Sequence, residues 1–287
     1  MFRFTYERPT TIADACAILA ASSGKAKVIA GGTDLIIGLR DEDKKVAHVE
    51  KVVDITHIAA LKYIKTDGEV IRVGALVTHD EIFNSPILKS SVPFFTEATN
   101  TVGSPQIRHR GTIGGSICNA SPAADPVPPL IALDAEVTLI SAKGKRIMKL
   151  ADIYDRPYKP TIGTDELLTE VSFKVPAGAK TAFVKLGRRK ALAIARMNVA
   201  VLAVKKAGIV EDIRIVPGSV LPKTMRVEAA EALLIGKQAT QETIAQAARK
   251  VAEVMLEMSG VRWSTPYKEP VIEALTRRAL AQALEVE

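Results

Sequence analysis

Cysteine is scarce in this sequence, and its scarcity excludes several kinds of site. The 287 residues include two cysteines, Cys16 and Cys118, and no CxxC pair. The chain therefore encodes neither a zinc ribbon nor an iron–sulfur cluster of its own. Two cysteines in separate contexts also give no disulfide framework, which favours a reducing compartment. Because the N-terminus has no apolar region of a signal peptide, we expect a cytoplasmic protein.

Long apolar runs and a strong charge of one sign are also missing. No stretch approaches the roughly 18 apolar residues of a membrane helix, so no membrane span is predicted. The 39 basic and 32 acidic residues leave a net charge of +7, and the basic residues are scattered. Because no basic stripe is interleaved with aromatic residues, we predict no nucleic-acid partner.

The usual catalytic and metal-binding patterns do not occur. There is no GxGxxG, GxxxxGK[ST], HExxH or GxSxG motif. The four histidines (His48, His57, His79 and His109) are isolated, and we interpret each as a surface or capping residue. The sequence therefore predicts no catalytic residue and no metal ligand on this chain.

The order of strand and helix patterns predicts an α+β protein of two units. Strands are expected at 2–6, 27–30, 52–55, 69–77, 136–140 and 168–173, with a helix from about 10, a Thr78–Glu81 capping box and a helix over 93–98. A linker at 176–179 precedes three strands at 183–186, 199–205 and 209–216. Helices follow at 225–235 and after Thr240. We predict domains at 1–176 and 178–287, the first with subdomains near 1–55 and 56–176.

Two glycine-containing segments carry the chemistry. The first glycine segment, residues 28–35, reads VIAGGTDL. Its glycines let backbone N–H groups approach a phosphate without a lysine, although such a turn can also be only a tight turn. The second glycine segment, residues 111–130, adds the hydroxyls of Thr112 and Ser116, the amide of Asn119 and the carboxylate of Asp125. We expect residues 110–125 to form a loop that binds a phosphorylated sugar or polyol.

Together, VIAGGTDL and GTIGGSICNASPAADPVPPL resemble the two FAD-binding signatures of one family. This is the flavoprotein (medium) subunit of the xanthine dehydrogenase and carbon monoxide dehydrogenase family of molybdenum hydroxylases. SPQIRHRGTIGG and FVKLGRRKALAIARMNVAV also fit, so the resemblance covers essentially the whole chain. It implies a two-subdomain FAD-binding region of the PCMH/VAO type, followed by a C-terminal three-stranded sheet with helices.

The resemblance also implies a set of cofactor-binding residues. The first glycine segment would wrap the FAD pyrophosphate and approach the isoalloxazine. The pyrophosphate and ribityl chain would be held from the other side by Thr112, Gly115, Ser116 and Asn119. Asp125 would bind ribityl or ribose hydroxyls. Val102 and Ile107 would line the pocket, Leu168 would pack on the adenine, and Lys185 would reach the flavin ring. The full implied set is Val28, Ile29, Ala30, Gly31, Gly32, Thr33, Asp34, Leu35, Val102, Ile107, Gly111, Thr112, Gly115, Ser116, Asn119, Asp125, Leu168 and Lys185.

The implied function is electron transfer within a larger assembly. Molybdopterin would sit on a large partner subunit and [2Fe–2S] clusters on a small one, in a heterotrimer or its dimer, and FAD here would pass electrons to an external acceptor. The substrate and the acceptor stay open. Two alternatives remain: an autonomous FAD-dependent oxidoreductase of the same fold, and a binding or assembly protein that has lost the cofactor.

Overall fold

The computed structural model describes residues 3–286, in which helices alternate with small β-sheets. The strands are β1 (Thr5–Glu7), β2 (Ala26–Ile29), β3 (Lys51–Asp54), β4 (Ile64–Asp67), β5 (Val70–Gly74), β6 (Glu136–Ser141), β7 (Gly144–Lys149), β8 (Tyr154–Arg156), β9 (Lys159–Pro160), β10 (Leu167–Lys174), β11 (Lys180–Gly187), β12 (Ala195–Lys206) and β13 (Ile209–Gly218). The helices are α1 (Ile12–Ala21), α2 (Leu35–Arg40), α3 (His79–Asn84), α4 (Pro86–Ser91), α5 (Pro93–Asn100), α6 (Pro105–Arg110), α7 (Ile113–Asn119), α8 (Val127–Ala132), α9 (Glu228–Glu231), α10 (Gln241–Ser259) and α11 (Thr265–Leu284).

The first sheet is parallel, in the order β1-β3-β2. Helix α1 crosses between β1 and β2, and the Thr11 hydroxyl caps it by accepting from the Asp14 amide at 3.1 Å. Cys16 lies on the buried face of α1, as its helical spacing predicts. The strand expected at 2–6 begins at Thr5 instead, and Phe2 lies outside the described residues.

The second sheet is antiparallel, in the order β4-β5-β10-β6-β7, and α3 to α8 form the connection between β5 and β6. Phe95 of α5 is fully buried and meets the Phe173 ring of β10 edge-on, with centroids 6.1 Å apart. The predicted capping box is present: the Thr78 amide donates to Glu81 at 2.9 Å, and the Glu81 amide donates to the Thr78 hydroxyl at 3.2 Å.

The third sheet is antiparallel, in the order β11-β12-β13, and α10 and α11 cover it. Thr240 caps α10 as expected, and Ile244, Val251 and Met255 line its buried face. The helix predicted over 225–235 is confirmed only in part: α9 covers Glu228–Glu231, and turns follow it. The following chain pairs with β13 instead: Gly236 donates to the Val210 carbonyl at 2.9 Å.

The loop predicted over residues 110–125 is also wrong in part, because α7 forms inside it. Ile113 and Ile117 lie one turn apart and both are fully buried, so α7 has an apolar face that packs on the second sheet's core. A short helix therefore replaces part of the expected loop, while the α+β architecture itself is confirmed.

Candidate functional site

The first glycine segment is a turn between β2 and α2 that leaves backbone donors unused. Gly32 adopts a left-handed conformation with φ of +73°, which an L side chain rarely adopts. Between residues 3 and 286, the N–H groups of Gly31, Gly32, Thr33 and Asp34 donate to no backbone carbonyl. These four donors are available to an external acceptor, as a phosphate-binding turn requires.

The second glycine segment uses its backbone differently. The N–H groups of Ile113 and Gly114 donate to carbonyls of Val77 and Ala75 at 2.9 and 3.0 Å, and the Gly115 N–H donates to the Thr112 hydroxyl at 3.1 Å. A Cβ at Gly114 would lie 2.7 Å from that of Ala75, so this glycine permits close packing. What α7 has left for a ligand is its side chains.

The two segments are in direct contact. A Cβ built at Gly31 would overlap the carbonyl oxygen of Arg110 and lie 3.0 Å from Gly111 Cα. The side chains of Thr33 and of Asn119 in α7 lie close to the Asp34 carboxylate. Desolvation raises the pKa of Asp34, and these two polar side chains oppose the rise. Tertiary structure thus brings together the two patterns that lie about 80 residues apart.

His79, expected at the surface or in a cap, is instead a buried residue behind α7. Its side chain is 2% exposed, and its Nε2 lies 3.0 Å from Ser116 Oγ. Burial, with a smaller contribution from the positive charge of Arg108, lowers the pKa of His79 to about 4. The imidazole is therefore neutral at neutral pH. The capping box placed His79 in a first turn, but no sequence signal indicated its partner.

Lys185 of β11 and Asp125 form a buried ion pair next to this region. Lys185 Nζ lies 2.6 Å from Asp125 Oδ2 and donates to the Thr101 carbonyl at 2.9 Å. Asn198 of β12 donates to Asp125 Oδ1 at 2.9 Å. Desolvation raises the pKa of Asp125, while Lys185 and Asn198 oppose that rise. Asp125 therefore ties the second glycine segment to the third sheet.

Sequence reasoning missed Asn198, although a signal for it exists. Asn198 is a polar residue in the apolar run MNVAVLAV, and it is fully buried. A buried polar side chain inside a strand needs a hydrogen-bonding partner, so it points to a site.

The remaining predicted residues divide into two groups. Val102 and Ile107 lie on the turn and short helix beside Lys185, where the Arg108 guanidinium donates to the Val102 carbonyl at 3.2 Å. Ile107 is 36% exposed and accessible to a ligand. Leu168 is 3% exposed and pairs with Leu139 inside the second sheet, so a contact with a ligand would require neighbouring side chains to move.

Within the described part of the chain, no group of three or more His, Cys, Asp or Glu side chains is arranged to hold a metal ion. Of the helices that the structure describes, none combines the length and apolar character needed to cross a membrane.

Comparison with known protein families places both halves of the chain. Residues 2–177 match the family described as FAD binding domain in molybdopterin dehydrogenase. Residues 182–283 match the family described as CO dehydrogenase flavoprotein C-terminal domain. Between them, the two families account for nearly the whole sequence.

Individual proteins are similar over their full length. The glyceraldehyde dehydrogenase medium chain of Sulfolobus acidocaldarius is 33% identical over 97% of this chain and 98% of its own. The nicotinate dehydrogenase FAD-subunit of Eubacterium barkeri is 34% identical over 90% of this chain and 88% of its own. Among solved structures, a chain of carbon monoxide dehydrogenase from Hydrogenophaga pseudoflava is 30% identical, with a TM-score of 0.92 over 99% of this chain and 98% of its own.

Proposed function

The chain belongs to the FAD-binding family of molybdopterin dehydrogenases, and on this premise we propose that it is the FAD-carrying electron-transfer subunit of a multisubunit molybdenum hydroxylase. It receives electrons from [2Fe–2S] clusters on a small partner subunit, which are fed by a molybdopterin-binding large subunit. FAD, when bound, accepts electrons one at a time and can pass on two to an external acceptor. The partner subunits and this chain form a heterotrimer or its dimer.

The observation that carries the proposal is the pair of contacting glycine segments. The first segment supplies four backbone N–H groups with no backbone acceptor within residues 3–286, suited to pyrophosphate oxygens. Beside it, a Cβ at Gly115 would meet only the Thr112 hydroxyl among protein atoms, so this surface has room for a ligand. The residues present therefore fit FAD.

We propose the following roles for the side chains around this surface. Thr112 Oγ1 accepts from the Gly115 amide, so its own proton can be donated to FAD. Asn119 keeps Asp34, and with it the first glycine segment, in place against α7. Val28, Ile29, Ala30 and Leu35 form the strand end and helix start that fix this turn.

The flavin end of the cofactor would lie toward Lys185. The Lys185 ammonium has three N–H donors. Two of them bond to the Asp125 carboxylate and the Thr101 carbonyl, which leaves one for the flavin ring. Each Asp125 oxygen accepts one hydrogen bond and keeps a second lone pair for a ribityl or ribose hydroxyl. Val102 and Ile107 cover the same end, and Leu168 remains the proposed neighbour of the adenine.

We also propose the domain division at residue 177 and a cytoplasmic location. The division is supported by the two family matches, which end at 177 and begin at 182. The location is supported by Cys16 and Cys118, which are both free thiols.

The test is native purification followed by a visible absorption spectrum and a denaturing gel. We expect flavin bands, one FAD per chain, and two further chains that carry iron–sulfur and molybdopterin. Flavin without partner chains would support the autonomous oxidoreductase instead. No flavin, even after incubation with FAD, would contradict the proposal and favour a fold that has lost its cofactor.

A further inference from the structure

His79 and Ser116 form a pair whose hydrogen-bonding direction can be derived. His79 Nε2 lies 3.0 Å from Ser116 Oγ, while His79 Nδ1 is buried and has no hydrogen-bonding partner in the described structure. The positively charged Arg108 lies close enough to lower the affinity of the ring for a proton. The imidazole is thus neutral and carries a single N–H.

The position of that N–H follows from the environment of the two ring nitrogens. If Nδ1 carried the proton, a buried donor would be left without an acceptor in the field of a cation. If Nε2 carries it, the N–H bonds to Ser116 Oγ and the lone pair of Nδ1 faces the positive field. Unsatisfied buried N–H groups are rare and costly, so the Nε2–H tautomer is favoured.

This tautomer decides what Ser116 can do. Its oxygen accepts from His79, so its own hydroxyl proton must be donated elsewhere. In the part of the chain that the structure describes, Ser116 Oγ has no hydrogen-bonding contact besides His79. Ser116 is half-buried and directly follows the exposed Gly115 in α7, so its hydroxyl group is not enclosed by protein.

We propose that His79 is a positioning residue for FAD: it donates to Ser116 Oγ and thereby directs the Ser116 hydroxyl proton to an oxygen of the FAD pyrophosphate or ribityl chain. This inference rests on the proposed function, since it concerns how the same site holds its cofactor. His79 itself does not touch FAD.

Two amide substitutions separate this role from simple space filling. The glutamine in His79→Gln places an N–H donor near the position of Nε2, whereas the asparagine in His79→Asn places one near Nδ1 and cannot reach Ser116. Both replace the ring with a neutral amide, so they share similar risks for folding. Each is made in the full chain with and without Ser116→Ala, stripped of flavin and titrated with FAD, and the melting temperature of each apo form is recorded.

We expect Ser116→Ala and His79→Asn each to raise the Kd for FAD about tenfold, as for loss of a hydrogen bond to a charged group. We expect His79→Gln to stay within about threefold of the unmodified chain, and His79→Asn to have no further effect once Ser116 is alanine. Equal losses in the glutamine and asparagine variants, or a His79→Asn effect that persists in the Ser116→Ala background, would overturn the inference. If the unmodified chain itself binds no FAD, the proposed function fails instead.

Discussion

The two glycine segments look alike in sequence, AGGTDL against TIGGSICN. The first nevertheless offers backbone N–H groups to a ligand, whereas the second offers side chains. In the first, four backbone N–H groups from Gly31 to Asp34 donate to no backbone carbonyl within the described residues. In the second, the N–H groups of Ile113, Gly114 and Gly115 are all satisfied within the protein. Similar glycine patterns therefore serve two purposes: the first leaves backbone donors free for a ligand, and the second lets α7 bond to its neighbours in the protein.

Each glycine is required for a different physical reason. Gly32 is needed for its left-handed backbone, and Gly31 and Gly114 are needed because a side chain would collide with neighbouring chain. A Cβ built at Gly115 would face open space except for the Thr112 hydroxyl. A glycine whose missing Cβ would face open surface is the one that a ligand can explain.

We expect the largest loss of stability and of FAD binding from Gly31→Ala, with Gly115→Ala as its control. The added methyl at Gly31 overlaps a backbone oxygen of Arg110 that cannot rotate away, so the two segments must separate. We expect the free energy of unfolding to fall by more than about 3 kcal/mol and FAD binding to weaken by more than about 100-fold, which corresponds to about 3 kcal/mol.

Gly115→Ala is the matched control, because it adds the same methyl to the second segment. It should leave the stability of the apo chain within about 1 kcal/mol, since alanine is also the better helix former in α7, while it weakens FAD binding. Urea unfolding and FAD titration of both variants give the answer. Equal losses of stability would contradict the comparison.

Lys185→Met tests whether charge anchors the second segment. Removing the cation leaves the Asp125 carboxylate buried without its partner, and we expect a loss of about 3 kcal/mol. Lys180→Met is the control, because Lys180 pairs with Glu285 at 2.9 Å on the exposed surface. Its loss should stay below about 1 kcal/mol. Denaturant unfolding at neutral pH measures both, and similar losses would refute a special role for the buried pair.

The pH dependence of stability tests the burial of His79 next to α7. The folded-state pKa of His79 is about 4 against 6.5 when unfolded, so below pH 6.5 only the unfolded chain takes up the proton. Stability should therefore fall as the pH falls, by about 2 kcal/mol between pH 8 and pH 5 from this group. His79→Gln should lack this contribution, which unfolding curves at both pH values reveal. Identical pH slopes in the two proteins would count against it.

The smallest effect concerns the contact of Asn119 with Asp34, which joins the two segments. Asn119→Ala removes one of the two polar side chains that lower the pKa of Asp34, so this pKa should rise. We expect a loss of about 1 kcal/mol in stability and a several-fold weaker FAD complex. Carboxyl NMR titration of Asp34 checks the direction, with Asp41→Asn, at the opposite end of α2, as an exposed control. A lowered pKa would show that the contact is wrongly assigned.

Much of the fold and of the site could be predicted from local patterns. The Thr78–Glu81 capping box, the α10 face and the strands of the third sheet follow from spacing within a few residues, and the structure contains them. The failures came from contacts between distant residues. The helix expected at 225–235 is interrupted because its chain hydrogen-bonds to β13, a contact between distant residues that no local pattern contains.

The amino-acid sequence alone reveals the two glycine segments, the strands of the third sheet and the resemblance to FAD-binding subunits, because these depend on residue type and short-range spacing. Only the tertiary structure decided that Gly31 touches Arg110, that His79 faces Ser116, and that Asn198 and Lys185 meet at Asp125. These contacts join residues 37 to 79 positions apart. Their physical basis is burial, which satisfies polar groups with whatever partners folding brings near.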